Sequence, residues 1–466
     1  MTNVKQISSF WVLIHIALFA VFISLPIQAQ VVSQVVFTNL YSFNTGDGGD
    51  PVCGTNGDDP QATLVQANDG NLYGTTFDGG TNCAGTVFKI TTSGALIALY
   101  IFDGNDGGNP QAPLMQGSDG NLYGTTTSGG ADSAGNVFKI TTNGALTSLY
   151  SFTGGNDGSW PQSGLVQGSD GNLYSTTFGG GTNGAGTVFK ITTDGTLTWV
   201  YSFTGGNDGN GPESGLVLAS DGNLYGTTVW GGTNGTGNVF KITTNGALTN
   251  LYSFTGGYDG NWPSGGLMQG SDGNLYGTTA LGGTNGAGTV FKITTNGALT
   301  SLYSFTGGND GNEPQAQLVQ GNDGNLYGTT SLGGTNGAGT VFRITTSGTL
   351  ISLYSFTGGN DGGDSLAGLM QASDGNFYST TPGGNVFRLE VIEQPVLSSL
   401  TLTGDTLSFI WRTIAGQTNQ VQYKTNLIQT DWNNLGNAIT ATNSTLTFSN
   451  PIGPDSQRFY RVVLLP

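Results

Sequence analysis

Residues Gly266–Phe305 read GLMQGSDGNLYGTTALGGTNGAGTVFKITTNGALTSLYSF. The core phrase, Asp-Gly-Asn-(Leu/Phe)-Tyr, begins at Asp69, Asp119, Asp170, Asp221, Asp272, Asp323 and Asp374. The spacing is 50 residues once and 51 five times. A period of this size marks a chain that stacks one supersecondary unit many times.

Each copy holds four short strand candidates. In the quoted copy they are Gly266–Gln269, Asn274–Thr279, Thr289–Thr294 and Leu299–Phe305. β-Branched and aromatic residues dominate, and apolar residues roughly alternate with small polar ones. No stretch beyond the first 30 residues keeps a helical period. Asp-Gly joins strands one and two, and usually Asn-Gly joins three and four; both favour tight hairpins. The other two connections, such as 281–288 and 306–311, are longer and rich in Gly. Alternate loops of a meander share a side, so the tight turns face one way and the long loops the other.

Four antiparallel strands repeated seven times predict a seven-bladed β-propeller over residues 31–392. The ends of the repeat region complement each other. A fourth-strand sequence at Leu40–Phe43 has no preceding third strand, and the final copy, ending Asn385–Leu389, has no following fourth strand. The N-terminal strand Val35–Phe43 is therefore expected to complete the last blade and remove an unpaired edge.

Residues 1–30 read as a signal peptide. Lys5 is the only charge, Phe10–Leu25 is apolar apart from Ser and His15, and Pro26 and Ala29 suit cleavage nearby. The expected protein is thus exported, to the medium or the cell surface. No later apolar run is long enough to span a membrane. The net charge is −17, which disfavours nucleic acid as a partner. A monomer is expected. The basic residues between Val31 and Val391 occupy one repeat position: Lys89, Lys139, Lys190, Lys241, Lys292, Arg343 and Arg388. This reads as an outward, solubilising position on the third strand. After Glu393-Gln394-Pro395 the repeat stops. Residues 396–466 carry alternating runs and two anchor candidates, Trp411 and Trp432, and predict a small β-sandwich of immunoglobulin or fibronectin type III kind.

Chemistry is sparse. The only histidine is His15 in the leader, so Ser-His and Cys-His nucleophile pairs are excluded from the mature chain. No Gly-rich stretch precedes a helix with the Gly-Lys-(Ser/Thr) element of a phosphate loop. Cys53 and Cys83 fall in neighbouring long loops, and an exported chain permits a disulfide between them. The repeated Asp of the long loop, including Asp157, Asp208, Asp259 and Asp310, reads first as a turn that caps its own backbone. The alternative is a set of oxygen ligands for calcium; no other cofactor is implied.

The informative positions are those where copies differ. Before the Pro of the long loop stand Asp59, Asn109, Trp160, Gly211, Trp262, Glu313 and, in the Pro-less last copy, Asp364. In the neighbouring loop the series is Asp78, Ser128, Gly179, Trp230, Leu281 and Leu332. Trp160, Trp230, Trp262 and Glu313 thus fall on one side of a plain scaffold. Aromatics among polar loops suit sugar- or protein-binding surfaces; packing between blades is the competing role.

The phrase Gly266–Thr279 with Gly288–Thr294 resembles the tandem-repeat GloVer proteins of exported bacterial origin, across Val35–Leu389. The Asp-Gly-Asn-Leu-Tyr element is also similar to the Asp-Gly-Asn-Leu-Trp element of two-component-regulator propellers. The resemblance implies secreted or surface-associated proteins attached through varied C-terminal devices, with no established activity. The expected role is a non-catalytic binding or scaffold module for a carbohydrate or protein. The alternatives are a carbohydrate-active enzyme using long-loop carboxylates and a calcium-stiffened surface protein.

Overall fold

The fourfold strand pattern of each repeat becomes a four-stranded antiparallel sheet. The computed structural model describes residues 34–43, 54, 56–392, 396–413, 416–426, 428–443, 445–451 and 458–465, together with the strand Val12–Ile14. In the quoted repeat the strands are Met268–Gln269, Leu275–Thr279, Thr289–Ile293 and Leu299–Ser304, side by side in that order. Among the described residues there are seven such sheets and no helix. We number them 1 to 7 by their first strands: Val65–Gln66, Met115–Gln116, Val166–Gln167, Val217–Leu218, Met268–Gln269, Val319–Gln320 and Met370–Gln371. The architecture is all-β and propeller-like.

The second strand of every sheet is buried along its whole length, whereas the fourth is only half-buried. Both faces of the second strand therefore carry core residues, which suits the interior of a ring of stacked sheets. Gly277 explains one constraint: a Cβ there would stand 2.6 Å from Phe291 Cζ. The first strand is shorter than Gly266–Gln269. It shrinks to Met268–Gln269, and just upstream the Leu267 carbonyl accepts from Gln317 Nε2 of the next sheet at 2.6 Å. Thr278 Oγ1 donates to the Ala316 carbonyl at 3.2 Å, and a Cβ on Gly265 would meet that carbonyl at 2.7 Å.

Neighbouring sheets are joined by one repeated contact. The Phe that follows a fourth strand meets a third-strand Phe of the next sheet edge-to-face. The pairs Phe102–Phe138, Phe152–Phe189, Phe203–Phe240, Phe254–Phe291 and Phe305–Phe342 all stand at 5.3 Å. Phe356–Phe387 stands at 5.6 Å, and Phe43–Phe88 joins sheet 7 to sheet 1 at 5.3 Å. Such geometry contributes about 0.5–1.5 kcal/mol per pair beyond burial. Sheet 7 takes its fourth strand, Gln34–Ser42, from the N-terminal end of the repeat region, beside Asn385–Ile392. Thr380 Oγ1 also donates to the Ala62 carbonyl at 3.0 Å, and the Ser373 amide donates to Gln66 at 2.8 Å.

The chain divides into two units, Phe37–Glu390 and a second made of Met1–Val36 with Val391–Pro466. In the second, Val396–Thr403, Thr406–Arg412 and Thr445–Pro451 form one sheet. Arg458–Leu465, Thr418–Lys424, Asn433–Asn434 and Ile439–Thr440 form another, and Val12–Ile14 pairs with its Arg458–Leu465 edge. Leu407, Phe409 and Trp411 of the first sheet bury against Val421 and Tyr460 of the second. Trp411 anchors this core as its sequence suggests, fully buried. Trp432 does not. It is half-buried between cations, with Lys424 Nζ at 4.8 Å and Arg461 Cζ at 4.4 Å from its ring.

A candidate binding face on the long-loop side

The residue before each long-loop Pro sits at a seam between sheets. Its amide donates to the preceding repeat, and its carbonyl accepts from its own repeat. For Trp160 the partners are Ala134 O at 3.0 Å and Phe178 N at 3.0 Å. For Trp262 they are Thr236 O at 3.3 Å and Ala280 N at 2.9 Å. The backbone is left-handed here in every repeat, with φ of 56° at Trp160, 59° at Trp262, 55° at Glu313 and 64° at Gly211, and the double clamp holds it at Asn109, Trp160, Gly211, Trp262 and Glu313. Only glycine adopts that conformation without strain, so the surrounding bonds must over-determine it.

The two variable series lie side by side. Ser159 bridges Gly179, Asn210 bridges Trp230 and Asn261 bridges Leu281. Size is complementary across the pair. The Trp160 ring covers Gly179, and the Trp230 ring covers Gly211, where an added Cβ would stand 3.1 Å from the indole in each case. Phe178 meets Trp230 edge-to-face at 5.5 Å. Yet the indoles are not sealed: Trp160 is 50% exposed, Trp230 44% and Trp262 39%. Trp160 and Trp230 are packed on one side and open on the other.

The inner segments that lead into the first strands, beginning two residues after Trp160 and Trp262, line a cavity of about 270 Å³. Equivalent positions after the Pro line it: Gln61, Gln111, Gln162, Glu213, Ser264, Gln315 and, in the last repeat, Leu366. Gln111 Nε2 donates to Gln61 Oε1 at 3.3 Å. Glu213 is the one carboxylate of the lining, which contains no basic residue. Burial pushes its carboxyl up, and a hydrogen bond from the Trp262 side chain offsets part of that rise.

The Gloeobacter/Verrucomicrobia repeat model matches residues 32–220 and 206–393, most of the chain. The chain belongs to the Gloeobacter/Verrucomicrobia repeat family. No curated protein matches it. Among solved structures, a lectin from Burkholderia pseudomallei is similar at 12% identity and a TM-score of 0.47, over 71% of this chain and 96% of the lectin. A putative 6-phosphogluconolactonase from Bacteroides uniformis has 15% identity and a TM-score of 0.45, over 81% of this chain and 100% of its own.

In this family member the long-loop aspartates serve their own loops. Asp157 accepts from the Thr153 amide at 2.8 Å and the Tyr150 hydroxyl at 3.0 Å. Asp208, Asp259 and Asp310 repeat the pattern with Tyr201, Tyr252 and Tyr303. Burial opposes charge on Asp157, but the bonds from Thr153 and Tyr150 outweigh it and hold the carboxyl below its ordinary range. Among the described residues no group of three His, Cys, Asp or Glu side chains stands ready for a metal. Glu313, at the seam of sheets 5 and 6, accepts from Gln315 Nε2 at 3.2 Å. The hairpin aspartates lie on the opposite side: Asp69 accepts from the Asn71 amide at 3.1 Å and from Lys89 at 2.8 Å.

Cys53 lies outside the described residues. Cys83 has φ of 55° where later repeats place Gly184, Gly235, Gly286 and Gly337. Sequence reasoning passed over Glu213, Phe178 and Tyr258. Glu213 departs from a Gln-rich repeat position, and Tyr258, 78% exposed, replaces the Asn of Asn156, Asn207, Asn309 and Asn360. Both departures were visible in the aligned repeats.

Proposed function

We propose that this protein is an exported, non-catalytic binding module whose long-loop face holds a carbohydrate. The observations that carry the reading are the three half-exposed indoles, Trp160, Trp230 and Trp262, and an amide-lined cavity whose lining begins two residues beyond Trp160 and Trp262. Rings that are already fixed lose little freedom on binding and stack on the apolar faces of sugars. Carboxamides and hydroxyls supply both donors and acceptors for sugar hydroxyls. A two-carboxylate hydrolase needs a second acid beside the first; the lining offers Glu213 alone.

The scaffold in this reading is a closed seven-bladed propeller spanning residues 31–392, supported by the Phe43–Phe88 and Thr380–Ala62 contacts between sheets 7 and 1. A C-terminal β-sandwich follows over residues 396–466, supported by the core shared between its two sheets. A Cys53–Cys83 bridge belongs to the same proposal: export permits it, and the two residues fall in neighbouring long loops of the sequence. The test is a glycan-array screen of the labelled mature chain. Saturable binding to a defined glycan class is expected. Binding to none of the array would overturn the carbohydrate reading in favour of a protein ligand.

A further inference from the structure

The cavity lining breaks the repeat symmetry at one corner. Gln61, Gln111, Gln162 and Gln315 hold equivalent places, but sheets 4 and 5 put Glu213 and Ser264 there instead. Ser264 Oγ is buried without a hydrogen-bond partner. Trp230 lies over Gly211, two residues from Glu213, and the Trp262 side chain stands near the Glu213 carboxylate. A desolvated carboxylate and an unpartnered hydroxyl thus share one corner between two half-exposed indoles.

No countercharge on the lining answers Glu213. The basic side chains of this unit sit on third strands. Lys89 and Lys241 are paired with the hairpin residues Asp69 and Asp221, at 2.8 and 3.0 Å, on the opposite side. An isolated half-buried carboxylate is costly unless a cation joins it. We infer that this corner takes a protonated amine, so that the saccharide is an unacetylated amino sugar. The inference rests on the carbohydrate reading above. The ammonium donates to the Glu213 carboxylate, and the indoles cover the ring that carries it. An N-acetyl group has one N–H and no charge, and a hydroxyl has no charge, so neither repays the desolvation.

Calorimetric titration of the mature chain with trisaccharides of glucosamine, N-acetylglucosamine and glucose, at physiological ionic strength, tests this. The glucosamine trimer should bind about tenfold or more tighter than the other two, as a charge-assisted hydrogen bond implies. Glu213→Gln should abolish that preference. The variant should fold, because Gln stands at this position in four other repeats. Asp132→Asn removes one exposed charge from another loop and should leave the preference intact, which excludes attraction by net charge alone. Equal affinity for the three sugars, or an undiminished amine preference in Glu213→Gln, overturns the amine assignment and leaves sugar binding standing. Failure to bind the glucosamine trimer overturns it too, whatever glycan the array returns.

Discussion

Tyr150 keeps its proton far into alkali because burial disfavours its phenolate and Asp157 accepts from its hydroxyl. Tyr201, Tyr252 and Tyr303 do the same, each pushed up to about 12 from an ordinary value of 10.0. Between those values the unfolded chain loses tyrosine protons that the folded chain retains. Stability is therefore complete below pH 10 and falls as pH rises toward 12. Thermal melts across this window should show a steep loss, flattened in a variant with all four tyrosines changed to Phe. An equal slope in both would remove the tyrosine–aspartate pairs as its cause. On the acid side, Asp157 and Asp361 are held below their ordinary value of 3.8, so their contribution is present above it and lost as pH falls. The sequence showed these aspartates as loop caps; it did not show the tyrosine, because that partner stands seven residues upstream in another element. Cys83 carries a second prediction. A bridge to Cys53 would stabilise the chain by roughly 3–4 kcal/mol in the loop-entropy model. Thiol titration of the unfolded, unreduced mature chain should find no free thiol; two would end that proposal.

The second, third and fourth strands were legible because their hairpins are local and their turn residues explicit. The first strand was misjudged because the residues at and before it also bond to the neighbouring repeats on both sides. Its Gln shows why. Gln269 Nε2 donates to Gly273 O of its own hairpin at 3.0 Å, while its Oε1 accepts from the Ser220 amide of the preceding one at 2.8 Å. One side chain thus latches two repeats, and a single-repeat reading cannot register that. The N-terminal strand was legible by counting fourth-strand sequences. Its removal tests the closure. Phe43 is buried against Phe88, and truncating a buried Phe alone costs about 3–5 kcal/mol. A chain beginning at Thr45 should melt far below one beginning at Val31, or aggregate through the exposed edge of Asn385–Ile392. A monomeric product with an unchanged Tm would contradict the closed ring.

At the scale of the molecule, near-identical repeats separate two jobs. Invariant turn residues hold the fold, and the few variable positions stand together at the seams on one side. Trp160, Trp230 and Trp262 were legible as a group because each breaks the pattern, and the loop alternation put them on one face. Glu213 escaped notice because most of its series is Gln, a change of one atom in outline but a full charge in chemistry. The Trp432 misreading has the opposite origin: an isolated Trp in an alternating stretch looks like core, and its two cations, Lys424 from the paired strand and Arg461 from Arg458–Leu465, meet it only in the fold. The most direct test of the account is to titrate Trp160→Ala, Trp230→Ala, Trp262→Ala and the far-side hairpin variant Asp272→Asn with the glycan found by the array, beside a thermal melt of each. The account predicts that each Trp variant loses about 1–3 kcal/mol of binding and melts with the parent chain. Asp272→Asn, which weakens the carboxylate's bonds with Asn274 and Tyr276, should keep its affinity and lose about 1 kcal/mol of stability. Trp variants that melt early and bind unchanged would make the indoles packing residues and contradict the account.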